Sequence, residues 1–302
     1  MGFFKKMRIP AAVIAVAVVL ASICYGCGLF KPTAASLTAK MLKKVSDVKS
    51  AEAVVNIDSD LQVKLKSIEV GTDLHLNAVS DIEMTREPQR TKSDTTASFT
   101  GIGQLLDLKI ELEQYTEKTE DGATITYERT DGGQWKKTIA EKQESEGAAA
   151  EGNPALGLLG MIREAGDNLK DAKLKEETTT VNGKEAYEID VILNGALVKE
   201  VIGKADLKLD KAGIDVDSID WDSVSIPTQL YIYKDSSLPA RVKLECTELG
   251  SLFLGSLLEK EIQGTMMDGV DMEFRSFTVD ASFDRYNEIE EIEIPREALE
   301  AQ

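Results

Sequence analysis

The sequence predicts an α+β fold: one large antiparallel sheet with helices packed on its hidden face. Three patterns predict it. Long runs alternate apolar and polar residues with period two, the mark of strands with one buried and one wet face. Turn signals such as Asp131-Gly132-Gly133 and Asn182-Gly183 separate several of these runs, so neighbouring strands pair as hairpins. Apolar stripes with helical spacing occur in only a few places. Together they give about ten or eleven strands and two or three helices, with the helices grouped on one side of the sheet.

The chain opens on an address. Lys5, Lys6 and Arg8 precede an unbroken apolar and small run from Ala11 to Ile23. A basic start and a short apolar stretch make an export signal. The run is shorter than the roughly 20 apolar residues that span a bilayer. Gly26, Cys27 and Gly28 follow in LASICYGC, which resembles a lipobox cut before a lipid-modified cysteine, although Cys24 and Tyr25 depart from its preferred residues. The expected organisation is a lipoprotein signal peptide over 1–26, a lipidated Cys27 with its tether over 27–35, and one domain over 36–302. The rivals, an uncleaved anchor or an ordinary secretory signal, also place the domain outside the cytoplasm.

After the tether, Leu37, Met41, Val45 and Val48 form one helical stripe, and Ser36 is the expected cap. Lys40, Lys43, Lys44 and Lys49 lie largely off that stripe. From Ala51 to Leu65 the odd positions are mostly apolar and the even ones polar, a strand whose phase slips at Ser67. Leu74, Leu76, Ala78, Ile82 and Met84 repeat the pattern, as do Leu106, Leu108, Ile110 and Leu112. Strands over Thr124–Arg129 and Gln134–Ile139 form a hairpin across DGG. The polar, small stretch 141–152 is a loop. Asn153 and Pro154 then fit the start of a helix carrying Leu158, Leu159, Ile162, Ala165 and Leu169.

The second half repeats the theme. Strands are expected at Glu176–Val181, Glu185–Leu193 and Ala196–Ile202, then an irregular acidic stretch to Ser225. Ile226–Tyr233 and Leu238–Cys246 form a hairpin across KDSS. A short apolar helix holds Leu252, Phe253, Leu257 and Leu258. The last strands are Val270–Phe283, which changes phase near Ser276, and Glu288–Ile294.

Composition narrows the function. The chain carries a net charge of −18, and losing residues 1–26 removes three basic residues and no acid, giving about −21. Such a surface excludes phosphate-backbone binding, which needs clustered Lys and Arg. It keeps the body off anionic lipid, so attachment falls to the anchor. With Cys24 cleaved and Cys27 lipidated, only Cys246 remains, with no partner for a disulfide. It falls in phase with Val242 and Leu244, as a small apolar residue on an inner face.

No enzyme signature stands out. His75 is the only histidine, placed between Leu74 and Leu76 and so on the polar face of its strand. Zinc needs a cluster of His, Cys and carboxylate ligands, which the sequence pattern does not offer, and the nucleophile-elbow, HExxH and P-loop patterns are absent. The acidic runs Asp215, Asp217, Asp220, Asp222 and Glu288, Glu290, Glu291, Glu293 are expected to be a solvated loop and the wet face of a strand; the first also offers oxygens of the kind calcium takes. Trp135 and Trp221 are expected as a packing residue and a loop anchor. No catalytic residue, metal ligand or cofactor is assigned.

Four stretches together resemble a known family: MLKKVSDVKS running into a long strand, TVNGKEAYEIDV, IPTQLYIYKDSSLPARVKLE, and the ending FDRYNEIEEIEIPREAL. They resemble Gram-positive cell-envelope lipoproteins of the LolA-like and LppX/LprG-like lipoprotein-carrier superfamily, DUF6612-like in type. The resemblance implies a single strongly curved antiparallel half-barrel wrapping its helices, with an apolar cavity between them. Cavity residues would be Val55, Ile57, Leu61, Leu74, Leu76, Leu108, Ile110, Tyr187 and Ile189 from the sheet. Leu158, Leu159, Ile162, Phe253 and Leu257 would face them from the helices. The implied function is a non-enzymatic, lipid-anchored binding protein on the outer face of the cytoplasmic membrane, carrying an apolar acyl-chain ligand. The alternative is an envelope interaction or structural lipoprotein whose core is filled.

Overall fold

A computed structural model describes residues 32–65, 70–101, 106–140, 172–204, 215–261 and 270–301. The expected signal peptide over 1–26, Cys27, the expected slip at Ser67, the expected loop 141–152 and the expected helix with Leu158, Leu159 and Ile162 lie outside the described residues.

The first helix, α1 (Ala34–Val45), starts two residues before the expected domain boundary. Its cap is Thr33, not Ser36. The Thr33 hydroxyl accepts from the Ser36 N–H at 3.2 Å while the Thr33 N–H donates to Ser36 Oγ at 3.0 Å. Ser36 is therefore the third residue of a reciprocal capping box, serving where Glu or Gln more often does. Leu37 and Met41 are buried in the core, and Val45 and Val48 pack against it.

Twelve strands follow among the described residues. They are β1 (Ser50–Leu65), β2 (Val70–Arg86), β3 (Gln89–Gly101), β4 (Leu106–Lys118), β5 (Thr124–Thr130), β6 (Lys136–Ala140), β7 (Lys173–Leu174), β8 (Thr179–Val181), β9 (Lys184–Asn194), β10 (Ser225–Tyr233), β11 (Pro239–Glu245) and β12 (Val270–Asp284). All pair antiparallel in one open sheet, ordered β6-β5-β4-β3-β2-β1-β12-β11-β10-β9-β7, with β8 beside β9. The sheet is two meanders joined where the first strand pairs the last. The join runs from Glu52↔Asp284 to Leu65↔Val270, broken by a register shift opposite Arg275. That shift is the phase change expected near Ser276. It sets Phe274 and Phe277 on one side with rings 5.6 Å apart.

Three expectations fail here. β3 was not foreseen. Ala196–Ile202 is not a strand but part of helix α2 (Gly195–Lys204), which buries Leu197 and Val198 together. Asn194 caps it, its side-chain oxygen accepting from the Leu197 N–H at 3.0 Å. Glu288–Ile294 forms no strand either. It crosses the outer face of β4 and β5, where Ile292 and Ala298 bury Tyr115 and Tyr127. The acids of that segment still face water, as the alternation implied.

Helix α3 (Thr247–Glu261) and α2 pack with α1 on the inner face of the sheet. A single turn, α4 (Arg296–Leu299), lies on the other side near β5. Between α2 and β10, Trp221 is 8% exposed and its indole N–H donates to Val216 O at 2.8 Å. It anchors the acidic loop as expected. Around it Asp215 caps a short turn and Asp217 pairs with Lys199 at 3.0 Å. Among the described residues no helix is long and apolar enough to cross a membrane.

Candidate functional site: an inner-face cleft

The strand registers define the inner face. Val55 faces Ser80, Thr95 and Leu112; Ile57 faces Ala78, Ala97 and Ile110; Ser59 faces Leu76, Phe99 and Leu108. Helices fill this face over β9–β12. Ile189, Leu230, Ile232 and Phe283 are fully buried there against Met41 and Val198. Among the described residues packing thins over β1–β4, and a cleft of about 210 Å³ opens, lined by Val55, Ile57, Ala78, Ile82, Ser80, Thr91, Ser93, Thr95, Gln114 and Thr116.

The cleft has two walls. β1 and β2 supply an apolar one, apart from Ser80. β3 and β4 supply hydroxyls and one amide, and no described lining residue is charged. Three of the hydroxyls satisfy one another. Thr95 donates to Ser80 Oγ at 2.8 Å, and the Ser80 and Ser93 oxygens are 2.9 Å apart. With those bonds closed internally, Ser80, Ser93 and Thr95 present little unmet polarity to an apolar guest. A larger depression of about 450 Å³, between α1 and the β10–β11 turn, is lined by Lys40, Lys44, Asp47, Asp235 and Asn287 among others. Its charge suits water better than hydrocarbon.

The expected cavity residues divide. Val55 and Ile57 line the cleft. Leu61, Leu74, Leu76, Leu108 and Ile110 do not line it, but share its face farther along the strands; all are partly buried except Leu108, which is 47% exposed. Tyr187, Ile189 and Phe253 belong to the filled half. Ile189 is 0% exposed, and Phe253 meets Trp221 edge-on at 6.5 Å. The Leu257 side chain, like Leu158, Leu159, Ile162 and Cys27, lies outside the described residues. The polar wall was missed because β3 was missed. Its signal was present as small residues at odd positions, Thr91, Ser93, Thr95 and Ala97, set against Lys92 and Asp94.

Other candidates resolve as structural. Cys246 is 6% exposed, and burial pushes its thiol up to about 12. Burial and the Glu113 carboxylate likewise raise Tyr115 to about 12. Trp135 stands 5.7 Å from Tyr115, with Arg129 stacked over it at 4.8 Å. His75 lies on the outer face, the polar side of its strand, between two carboxylates.

Residues 33–302 match a family described as "Family of unknown function (DUF6612)". The chain belongs to the DUF6612 family. Its match spans the whole described sheet, so this cleft belongs to the DUF6612 domain itself. No curated protein matches the chain. Among solved structures, LprF from Mycobacterium bovis is 14% identical, covering 87% of this chain and 96% of its own, with a TM-score of 0.42. A β-barrel-like DUF1849 protein from Brucella abortus is 10% identical, covering 80% and 99%, with a TM-score of 0.28. A DUF1329 protein from Desulfovibrio piger is 9% identical, covering 84% and 92%, at 0.19. At these scores the likenesses carry no inference about ligand or activity.

Proposed function

We propose that this DUF6612 protein is a lipid-anchored binding protein on the outer face of the cytoplasmic membrane. It acts by sequestering an apolar, acyl-chain ligand between sheet and helices, without catalysis. The sheet would curl around that ligand as a half-barrel. One observation supports this reading above others: among the described residues an uncharged cleft opens on the inner face where helix packing thins. At about 210 Å³ it is smaller than the roughly 300–1,000 Å³ of small-molecule sites. It therefore takes a segment of a chain. The partly exposed row Leu76, Phe99 and Leu108 offers the continuation. Affinity would come from buried apolar area at about 25 cal/mol per Å², less the cost of ordering the ligand.

Native mass spectrometry of the mature chain, with lipid extraction, tests this. Bound acyl lipid is expected in the parent and absent from Leu108→Glu and Ile110→Glu, whose sites tolerate charge because they are not fully buried. A folded charged variant that keeps its lipid would sink the proposed pocket.

The filled half of the sheet favours a second reading. Side chains as large as Phe283, Met41 and Leu230 are less than 2% exposed, leaving no room among them. An envelope interaction protein with a filled core would give lipid-free protein in the same spectra.

A further inference from the structure

The outer face of β1 and β2 brings the only histidine of the chain between two aspartates. Asp58 and Asp60 are two residues apart on β1, so both project to the same side. His75 on β2 is directly opposite Asp60. Its Nδ1 lies 3.0 Å from Asp60 Oδ1 and its Nε2 lies 3.6 Å from Asp58 Oδ2. One ligand atom from each of the three side chains lies within 4.8 Å of the other two.

Neighbouring strands hold both carboxylates. Ser276 on β12 donates to Asp60 Oδ2 at 3.1 Å. Asn77 on β2 donates to Asp58 Oδ2 at 3.3 Å and to Asn56 Oδ1 at 2.9 Å. The nearby Arg275 is 3.8 Å from Asp73. Among the described residues no Lys or Arg pairs with Asp58 or Asp60. The three side chains are 42%, 39% and 50% exposed for His75, Asp58 and Asp60, so an ion and its waters have access.

We propose that Asp58, Asp60 and His75 bind a divalent transition-metal ion of the zinc type. An imidazole nitrogen with two carboxylate oxygens suits zinc and its neighbours, whereas calcium and magnesium prefer oxygen alone. Three protein ligands leave one position to water. Carboxylate and metal sites with hydrogen-bonded ligands lose about 10–100-fold in affinity when the supporting partner is removed, which gives Ser276 and Asn77 a measurable role. Bound metal would pin β1 to β2 beside Leu61, Leu74 and Leu76, which face inward from the same stretch of strand. The site stands on its own geometry and does not depend on the ligand reading above.

The test uses Zn²⁺ alone with the purified mature chain. His75 is the single histidine, so its ring gives the only imidazole signals in an NMR spectrum. One equivalent of Zn²⁺ is expected to shift them to saturation, and equimolar Ca²⁺ to leave them in place. Calorimetry of Asp60→Asn and His75→Gln should show binding weakened at least tenfold, with unchanged circular dichroism. Unmoved ring signals on adding Zn²⁺ would overturn the site, whatever the cysteines bind. So would an Asp60→Asn variant that binds zinc like its parent.

Discussion

Single residues show where space and charge are decided. Gly195 opens α2 against the Trp221 turn, and a Cβ there would sit 1.9 Å from Trp221 O. Gly195→Ala should cost at least about 1–3 kcal/mol in urea unfolding, because backbone, not a flexible side chain, must move. At Asp284, burial pushes the carboxyl up, but hydrogen bonds from Lys184 and the Arg285 backbone outweigh it and hold the group below its ordinary 3.8. A depressed carboxyl stabilises the fold above its unfolded value, and that contribution fades as pH falls through the lowered one. Both partners are partly exposed, so Lys184→Met should lose only about 0.2–1 kcal/mol at pH 7. The difference between variant and parent should shrink below pH 3.8 and vanish once Asp284 is protonated in the folded chain. Denaturant titrations at both ends of that range measure it. Cys246 makes the third case. Its buried thiol, raised to about 12, should react with a thiol reagent only on unfolding.

Elements were legible wherever burial alternated strictly. β1, β2, β9 and β10 hide large aliphatic residues on one face and polar ones on the other, and period two exposes them. β3 turns Thr91, Ser93 and Thr95 inward, and Ser93 and Thr95 pair sideways through hydroxyls, so hydropathy gives no contrast to read. For the same reason half the candidate cleft stayed invisible. GALVKEVIGK has apolar residues that fit either period. Its outcome rests on the Asn194 cap and the tight Gly195–Trp221 approach, and the second is a tertiary contact. Ile289, Ile292 and Ile294 misled in the opposite way: they do pack, but onto a sheet face, with no strand partner. The segment is fastened by side chains instead. The Lys49 N–H donates to Asn287 Oδ1 at 2.7 Å and Arg90 donates to Ile292 O at 3.0 Å. Ile292 is 2% exposed beneath this strap. Ile292→Ala should therefore cost about 2–5 kcal/mol, as a buried large-to-small change does, and loosen Trp135 beside Tyr115. Thermal melts with tryptophan emission read both effects. A loss under 0.5 kcal/mol, of the order of about a surface change, would mean the strap contributes little.

At the scale of the whole molecule, two meanders meet at β1 and β12, so the sheet is complete only when both ends of the chain are in place. Long-range pairing of this kind is slow to form and leaves strand edges open meanwhile. β6 is one such edge, and Lys136 and Lys137 sit on it, charges that discourage pairing with another chain. The acidic surface works in the same direction, and it bears on location. A net charge of −18, about −21 if residues 1–26 are removed as proposed, repels anionic lipid, so the body supplies no electrostatic grip of its own. If the outer-face location proposed here holds, the lipid on Cys27 must carry it. A single acyl chain binds membranes only marginally, whereas two or more hold firmly. Replacing residues 1–27 by an ordinary cleavable secretory signal, which removes both the apolar run and the acceptor for diacylglycerol, should therefore release a folded domain from the membrane fraction. Its circular dichroism and melting should match the parent, because Cys27 precedes the first residue of the matched domain, residue 33. Retention of that secreted form in washed membranes would place the grip in the folded domain itself, and Cys27 would not be the anchor.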